Sequence, residues 1–205
     1  MRRRWSVGTA AGVAVLMAVV VGCYLLANSR TFQLAGVVVN RVDTAEKVVA
    51  LTFDDGPAEH TPEVLDVLAR SRVPATFYLN GADLDRYPEH DAAIARTGYR
   101  GPVTFRPPYG KKLWTLPHYL AERDRITVTW DVEPDSGGTS DTARIVEDTV
   151  GAVHPGSIIL LHVMFDGRSA SRTAVPLIIE RLQADGYRFV TVSDLLRQRD
   201  SNEET

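Results

Sequence analysis

The apolar positions of this chain fall into two patterns. One is a single long run: Arg2-Arg3-Arg4 is followed by an uncharged stretch from Trp5 to Ser29, closed by Arg30. The other is a series of short apolar runs separated by amphipathic stretches. Val48 to Phe53, Ala75 to Leu79, Val103 to Arg106, Ile126 to Trp130, Ser157 to Leu161 and Arg188 to Val192 read as strands. Between them, Glu63 to Ala69, Asp91 to Arg96, Leu116 to Glu122, Thr142 to Val153, Arg172 to Ala184 and Asp194 to Arg199 read as helices. Thr61-Pro62 gives the first of these helices a Thr cap and a proline at its first position. Such alternation predicts an α/β fold with a mainly parallel sheet or barrel covered by helices. Val37-Val38-Val39 is expected to be an edge strand leading into Val48 to Phe53.

The long run is sufficient to cross a bilayer as one helix. Its triple-Arg flank keeps the N-terminus in the cytoplasm and places the rest of the chain outside. Three outcomes compete. An uncleaved signal anchor leads, because the run exceeds an ordinary signal-peptide core and no small-x-small cleavage site closes it. A cleaved secretory signal is second. A lipoprotein is third, since Val20-Val21-Gly22-Cys23 looks like a permissive lipobox, although Tyr24-Leu25-Leu26 continues the apolar run beyond it. The expected organisation is an anchor over 1–30, a connector over 31–47, one domain over 48–199 and a polar tail over 200–205.

Composition changes the picture little. A chain of 205 residues with 44% apolar and 24% charged residues is ordinary for one globular domain plus an appendage. A net charge of -3 gives no reason to expect nucleic acid as a partner. The single cysteine, Cys23, excludes an intrachain disulfide.

The candidate chemistry collects at strand ends. Asp54-Asp55, Arg106, Asp131 and His162 each stand at or just past the C-terminal end of an expected strand, the edge where parallel α/β folds gather catalytic groups. Neighbouring side chains on a strand point to opposite faces, so Asp54 and Asp55 are expected to divide the work, one taking a proton and one holding a cation. A phosphotransferase of the haloacid-dehalogenase type would need Asp-x-Asp, and here the acids are adjacent.

Leu51-Thr52-Phe53-Asp54-Asp55-Gly56-Pro57, followed by Thr61-Pro62, resembles the first motif of the NodB-type polysaccharide deacetylases. Thr104-Phe105-Arg106-Pro107-Pro108-Tyr109-Gly110 resembles the third, Trp130-Asp131-Val132-Glu133-Pro134-Asp135 the fourth, and Gly156-Ser157-Ile158-Ile159-Leu160-Leu161-His162 the fifth. The resemblance implies a deformed (β/α) barrel that hydrolyses N-acetyl groups of a cell-envelope glycan, peptidoglycan or chitin-like, with a divalent metal, zinc or cobalt. It implies Asp54 as general base, Asp55 as metal ligand and Arg106 as the group holding the catalytic Asp. Pro107 and Tyr109 would contact substrate, the Tyr109 N–H at the oxyanion. Asp131 would tune the catalytic His, Leu160 and Leu161 would wall the acetyl-methyl pocket, and His162 would be the general acid. Glu133 and Asp135 are expected to be solvated loop acids.

One family element is missing. The second motif carries two His one turn apart that complete the metal site, but His60, His90, His118, His154 and His162 are all isolated. Only His90 lies between Asn80 and Arg106, where that motif belongs, so the barrel is expected to lack one βα block. The alternative function is a deacetylase-derived pseudoenzyme that binds glycan or a partner without turnover.

Overall fold

The computed structural model describes residues 2–87, 104–138 and 140–203. In chain order the described elements are α1 (Arg2–Ala27), β1 (Val38–Val39), β2 (Val48–Gly56), α2 (Thr61–Ser71), β3 (Thr76–Leu79), α3 (Gly81–Arg86), α4 (Thr115–Ala121), β4 (Thr127–Val128), α5 (Thr142–Ala152), β5 (Ile158–Leu161), α6 (Ser169–Ala184), β6 (Arg188–Val190) and α7 (Val192–Glu203). The helix expected over Asp91 to Arg96 lies outside the described residues. The strand–helix order is therefore α/β, as the periodicity predicts. The chain divides into two compact units, Met1–Val39 with Phe105–Thr129, and Asn40–Thr104 with Trp130–Thr205. This division passes through the stretch expected to form one domain over 48–199.

The larger unit is built on β2. Along one edge β5 runs parallel, from the pair Ala50 and Ile158 to the pair Phe53 and Leu161. The other edge is shared: β6 pairs parallel with Val48 to Ala50, and β3 pairs parallel with Thr52, Phe53 and Gly56. With both edges occupied, Val48, Val49, Ala50, Leu51 and Phe53 are all fully buried, which is why their run is continuously apolar. Leu51, Phe53, Ile159 and Leu161 pack against Val64 and Leu68 of α2, Ile145 of α5, and Ile178, Ile179 and Leu182 of α6. Each such side chain contributes about 1.5–3 kcal/mol by leaving water. At its start α5 is capped by Asp141, whose Oδ1 accepts from Ala143 N at 2.9 Å and Arg144 N at 3.3 Å. Thr61 is not the cap of α2. It is the helix's first residue, with His60 before it, and its buried hydroxyl accepts instead from Ala58 N at 2.9 Å.

The smaller unit holds α1, β1, α4 and β4. Val38 and Val39 pair in parallel with Thr127 and Val128, and Phe105 bridges to Thr127. Val37 to Val39 is expected to be an edge strand leading into β2; Val38 and Val39 do form a strand ahead of β2, and its partner is β4. The span Thr9–Ala27 of α1 is long and apolar enough to cross a membrane and is unburied throughout.

Candidate active site

Register places the first pair of site residues. β2 and β5 are in step up to Phe53 and Leu161, so the next residues, Asp54 and His162, emerge together at the C-terminal ends of adjacent strands. Pairing between β2 and β3 shifts between Phe53 and Gly56, and Asp55 takes a left-handed φ of 63°. Simple strand alternation therefore ends at Asp55. Its Oδ1 accepts from Asn80 Nδ2 at 3.4 Å, just past the end of β3. Both carboxylates act electrostatically on the imidazole of His162.

Asp135, not Asp131, holds His162. His162 Nδ1 lies 3.1 Å from Asp135 Oδ1, and the His162 main-chain N–H donates to Asp135 Oδ2 at 2.8 Å. The same Oδ2 accepts from Ser171 Oγ at 2.8 Å, and Arg168 Nη1 donates to the Asp135 carbonyl at 2.9 Å. Asp135 is completely buried, which corrects its reading as a solvated loop acid. Asp131 sits at the other end of β5. Its carboxylate accepts from Ile158 N at 2.8 Å and Ser157 Oγ at 2.7 Å.

The reason lies in the path of the chain. Regular strand β4 ends at Val128, but the backbone continues beside β5, with Val132 bridged in parallel to Ile159. An offset of 27 residues links Asp131 to Ile158 and again Asp135 to His162. Asp131 therefore marks the start of this parallel segment and Asp135 the end beside His162, about 13 Å further along at strand rise. Burial raises the Asp131 carboxyl above its usual range, opposed by the Ser157 and Ile158 hydrogen bonds and the charge of Arg41. A polar cavity of about 530 Å³, lined by Asn40, Arg41, Asp43, Asp131, Ala152 and His154, opens at this start of β5, away from His162. Glu133 is also engaged, accepting from Trp130 Nε1 at 2.7 Å.

Burial alone would depress the His162 imidazole. The Asp135 hydrogen bond and charge, helped by Asp54 and Asp55, outweigh it and raise the imidazole above its ordinary value of about 6.5. With Nδ1–H donated to Asp135, Nε2 is the nitrogen left to carry a transferable proton. Because the folded value is raised, the pair's contribution to stability is complete below about pH 6.5 and is lost as pH rises through the folded value. Denaturation midpoints taken against pH should therefore show the gap between wild type and Asp135→Asn narrowing above neutrality. A gap that widens with rising pH would contradict the pairing.

The remaining expected residues divide between the two units. Arg106, Pro107 and Tyr109 belong to the smaller unit. There Arg106 is buried, donating from Nε to the Val128 carbonyl at 3.4 Å and from Nη2 to the Thr129 carbonyl at 3.1 Å. Tyr109 is 89% exposed in a 3-10 turn, with φ of 55°. Leu160 and Leu161, expected to wall an acetyl-methyl pocket, are 1% and 0% exposed, so in this structure they present no surface to a ligand. Both edges of β5 are covered, by β2 and by the segment through Val132. Asn80 and Ser171 were not singled out from the sequence, and nothing local marks them.

A hard divalent cation suits Asp55, but zinc sites of the catalytic type use three protein ligands. Among the described residues, the one cluster of three His or carboxylate donor atoms within 4.8 Å is Glu59, His60 and Asp166, and it excludes Asp55. His60 Nε2 is 2.9 Å from Asp166 Oδ1, and this hydrogen bond, with a lesser one from Glu59, holds the Asp166 carboxyl below its usual range. The described residues around Asp55 thus do not fit the metal that the resemblance implies. His90 lies outside them.

Residues 41–101 match the sequence profile for polysaccharide deacetylases. A peptidoglycan-N-acetylglucosamine deacetylase of Bacillus cereus is 30% identical over 80% of this chain and 95% of its own length. A chitooligosaccharide deacetylase of Bradyrhizobium is 32% identical over 68% of this chain and 86% of its own. The crystal structure of the Bc1960 peptidoglycan N-acetylglucosamine deacetylase superposes with a TM-score of 0.71 at 29% identity, covering 76% of this chain and 91% of that one. The order of strands, the paired acids closing β2 and the histidine closing β5 go with these similarities: the chain belongs to the polysaccharide deacetylase family.

Proposed function

We propose that this chain addresses N-acetyl groups of a cell-envelope glycan, with the acid–base half of a deacetylase site complete and the metal half reduced to Asp55. The observation that carries this reading is the register of β2 with β5, which sets Asp54 beside His162, together with the buried Asp135 on His162 Nδ1. Amide hydrolysis needs a base for the attacking water and an acid for the departing amine. Asp54 is the base. His162 is the acid, its proton held by the surrounding carboxylates, and Asp135 with Ser171 positions it. Arg106, Pro107 and Tyr109 keep the roles that the family resemblance implies. The span in α1 is read as a retained anchor, with the larger unit outside the cytoplasm where such glycans lie. Full-length chain should then stay in membranes through a carbonate wash, and a C-terminal alkaline phosphatase fusion should be active.

The described residues around Asp55 offer no three-ligand set to hold a cation at the oxyanion. Loss of one oxyanion donor costs about 100- to 1,000-fold in other hydrolases. N-acetylglucosamine oligomers are therefore expected to bind and to shift the His162 ring signals, while acetate release stays at or near background with zinc or cobalt added. Asp54→Asn and His162→Ala should then change release little. The second reading is a working hydrolase, favoured by the intact Asp135–His162 pair. Robust metal-dependent acetate release, abolished by either substitution, would establish it and overturn the first.

A further inference from the structure

The smaller unit carries exposed apolar side chains next to the end of α1. Backbone hydrogen bonds close the helix, Asn28 N to the Tyr24 carbonyl and Ser29 N to the Leu26 carbonyl. Ser29 Oγ then accepts from Phe32 N at 3.0 Å, so the chain turns at once instead of running on. A distant loop comes to this turn. Lys112 N donates to the Ala27 carbonyl at 2.9 Å, and Lys112 Nζ donates to the Ser29 carbonyl at 2.5 Å. Thr129 Oγ1 adds a bond to the Arg30 carbonyl at 2.6 Å. The exit of the span is thereby held by side chain and backbone from 112 and 129.

Leu113 and Trp114 follow Lys112 and are 39% and 63% exposed, and Phe32 is 55% exposed. Two residues reach at most about 7 Å, so Trp114 cannot stand far from the last turn of the span. Its indole is steadied against the His118 ring, with centroids 4.5 Å apart, and does not fold into the unit's interior. Arg30 and Lys111 place cationic charge beside the same patch. An aromatic ring, aliphatic groups and cations at the mouth of a span match the headgroup layer of a bilayer with anionic lipid.

We propose that Phe32, Leu113 and Trp114 form a second membrane contact, lying in the headgroup layer beside the exit of α1. This rests on the reading of α1 as a retained anchor. Its consequence is that the smaller unit stands on the membrane and does not swing from a free tether.

The test uses full-length chain carrying Trp5→Phe, reconstituted into vesicles of phosphatidylethanolamine and phosphatidylglycerol. Lipids brominated near the headgroup end of their acyl chains serve as quenchers. Trp130 is buried and acts as an internal reference. Bromolipid is expected to quench Trp114 emission about twofold, as for an interfacial indole, and Trp114→Phe should remove the quenchable fraction. Vesicle-bound chain whose Trp114 ignores bromolipid but is quenched by aqueous iodide would overturn the proposal and leave the anchor standing. Chain that fails to float with the vesicles after a carbonate wash would overturn both.

Discussion

Replacing Asp135 by alanine is expected to remove about 3–5 kcal/mol of folding stability, the usual cost of breaking a buried charged pair from one side. Three donors converge on this completely buried carboxylate: the His162 main-chain N–H, His162 Nδ1–H and Ser171 Oγ. Alanine leaves all three facing a cavity. Because native domains hold only about 5–15 kcal/mol in total, the variant should sit near the edge of folding. Urea midpoints would measure the loss. Asp135→Asn keeps the volume and gives a second readout. The His162 imidazole, titrated by NMR, should fall in pKa when Asp135 becomes Asn and hold its value when Asp131 becomes Asn. A titration that moved with Asp131 and ignored Asp135 would sink the assignment of the pair.

Gly156→Ala is expected to cost more than about 4 kcal/mol, in the range reserved for specific structural faults. Gly156 has φ of 81°, and a Cβ there would meet the Val42 carbonyl oxygen at 1.7 Å and its carbon at 2.8 Å. Neither atom can step aside, because this is backbone held by two bonds, Val42 N to Gly156 O at 3.0 Å and Gly156 N to Val48 O at 2.8 Å. Gly186 provides the control. Its φ is 85°, yet its nearest contact is Lys47 Cδ at 3.8 Å, so Gly186→Ala should cost only the left-handed penalty of about 1–2 kcal/mol. Thermal unfolding of the two variants side by side separates conformational strain from collision. Similar losses at both positions would refute the close approach.

The parts of the fold legible in the sequence are those governed by local periodicity. Continuous burial made Val48 to Phe53 and Ser157 to Leu161 readable as interior strands, and the 3.6-residue pattern marked α2, α5 and α6. The placement of Asp54 and His162 at strand ends was legible because a strand end is itself a local signal, and the register of β2 with β5 brings the two together. The partner of His162 was not. Choosing Asp135 over Asp131 required knowing that the backbone runs on beside β5 after β4 ends, and a pairing offset leaves no trace in composition. Val37 to Val39 was readable as a strand, but a short β-branched run does not declare which neighbour it joins, here β4. Ser171 and Asn80 are ordinary polar residues until the fold brings them to Asp135 and Asp55.

The smaller unit is assembled from chain segments far apart in sequence. The bond from Thr129 Oγ1 to the Val39 carbonyl spans 90 residues, and among the described residues the strand partner of β1 is β4. Closing so long a loop is entropically costly and slow compared with helix formation. During synthesis the apolar helix emerges first and can be engaged by the membrane while β4 is still untranslated. On the proposed reading of α1 as a retained anchor, the unit beside it condenses on the far side, after translocation, against an end already fixed in lipid. Under that reading birth order makes α1 a template for folding: a chain deprived of α1 should refold its smaller unit more slowly than one that retains it.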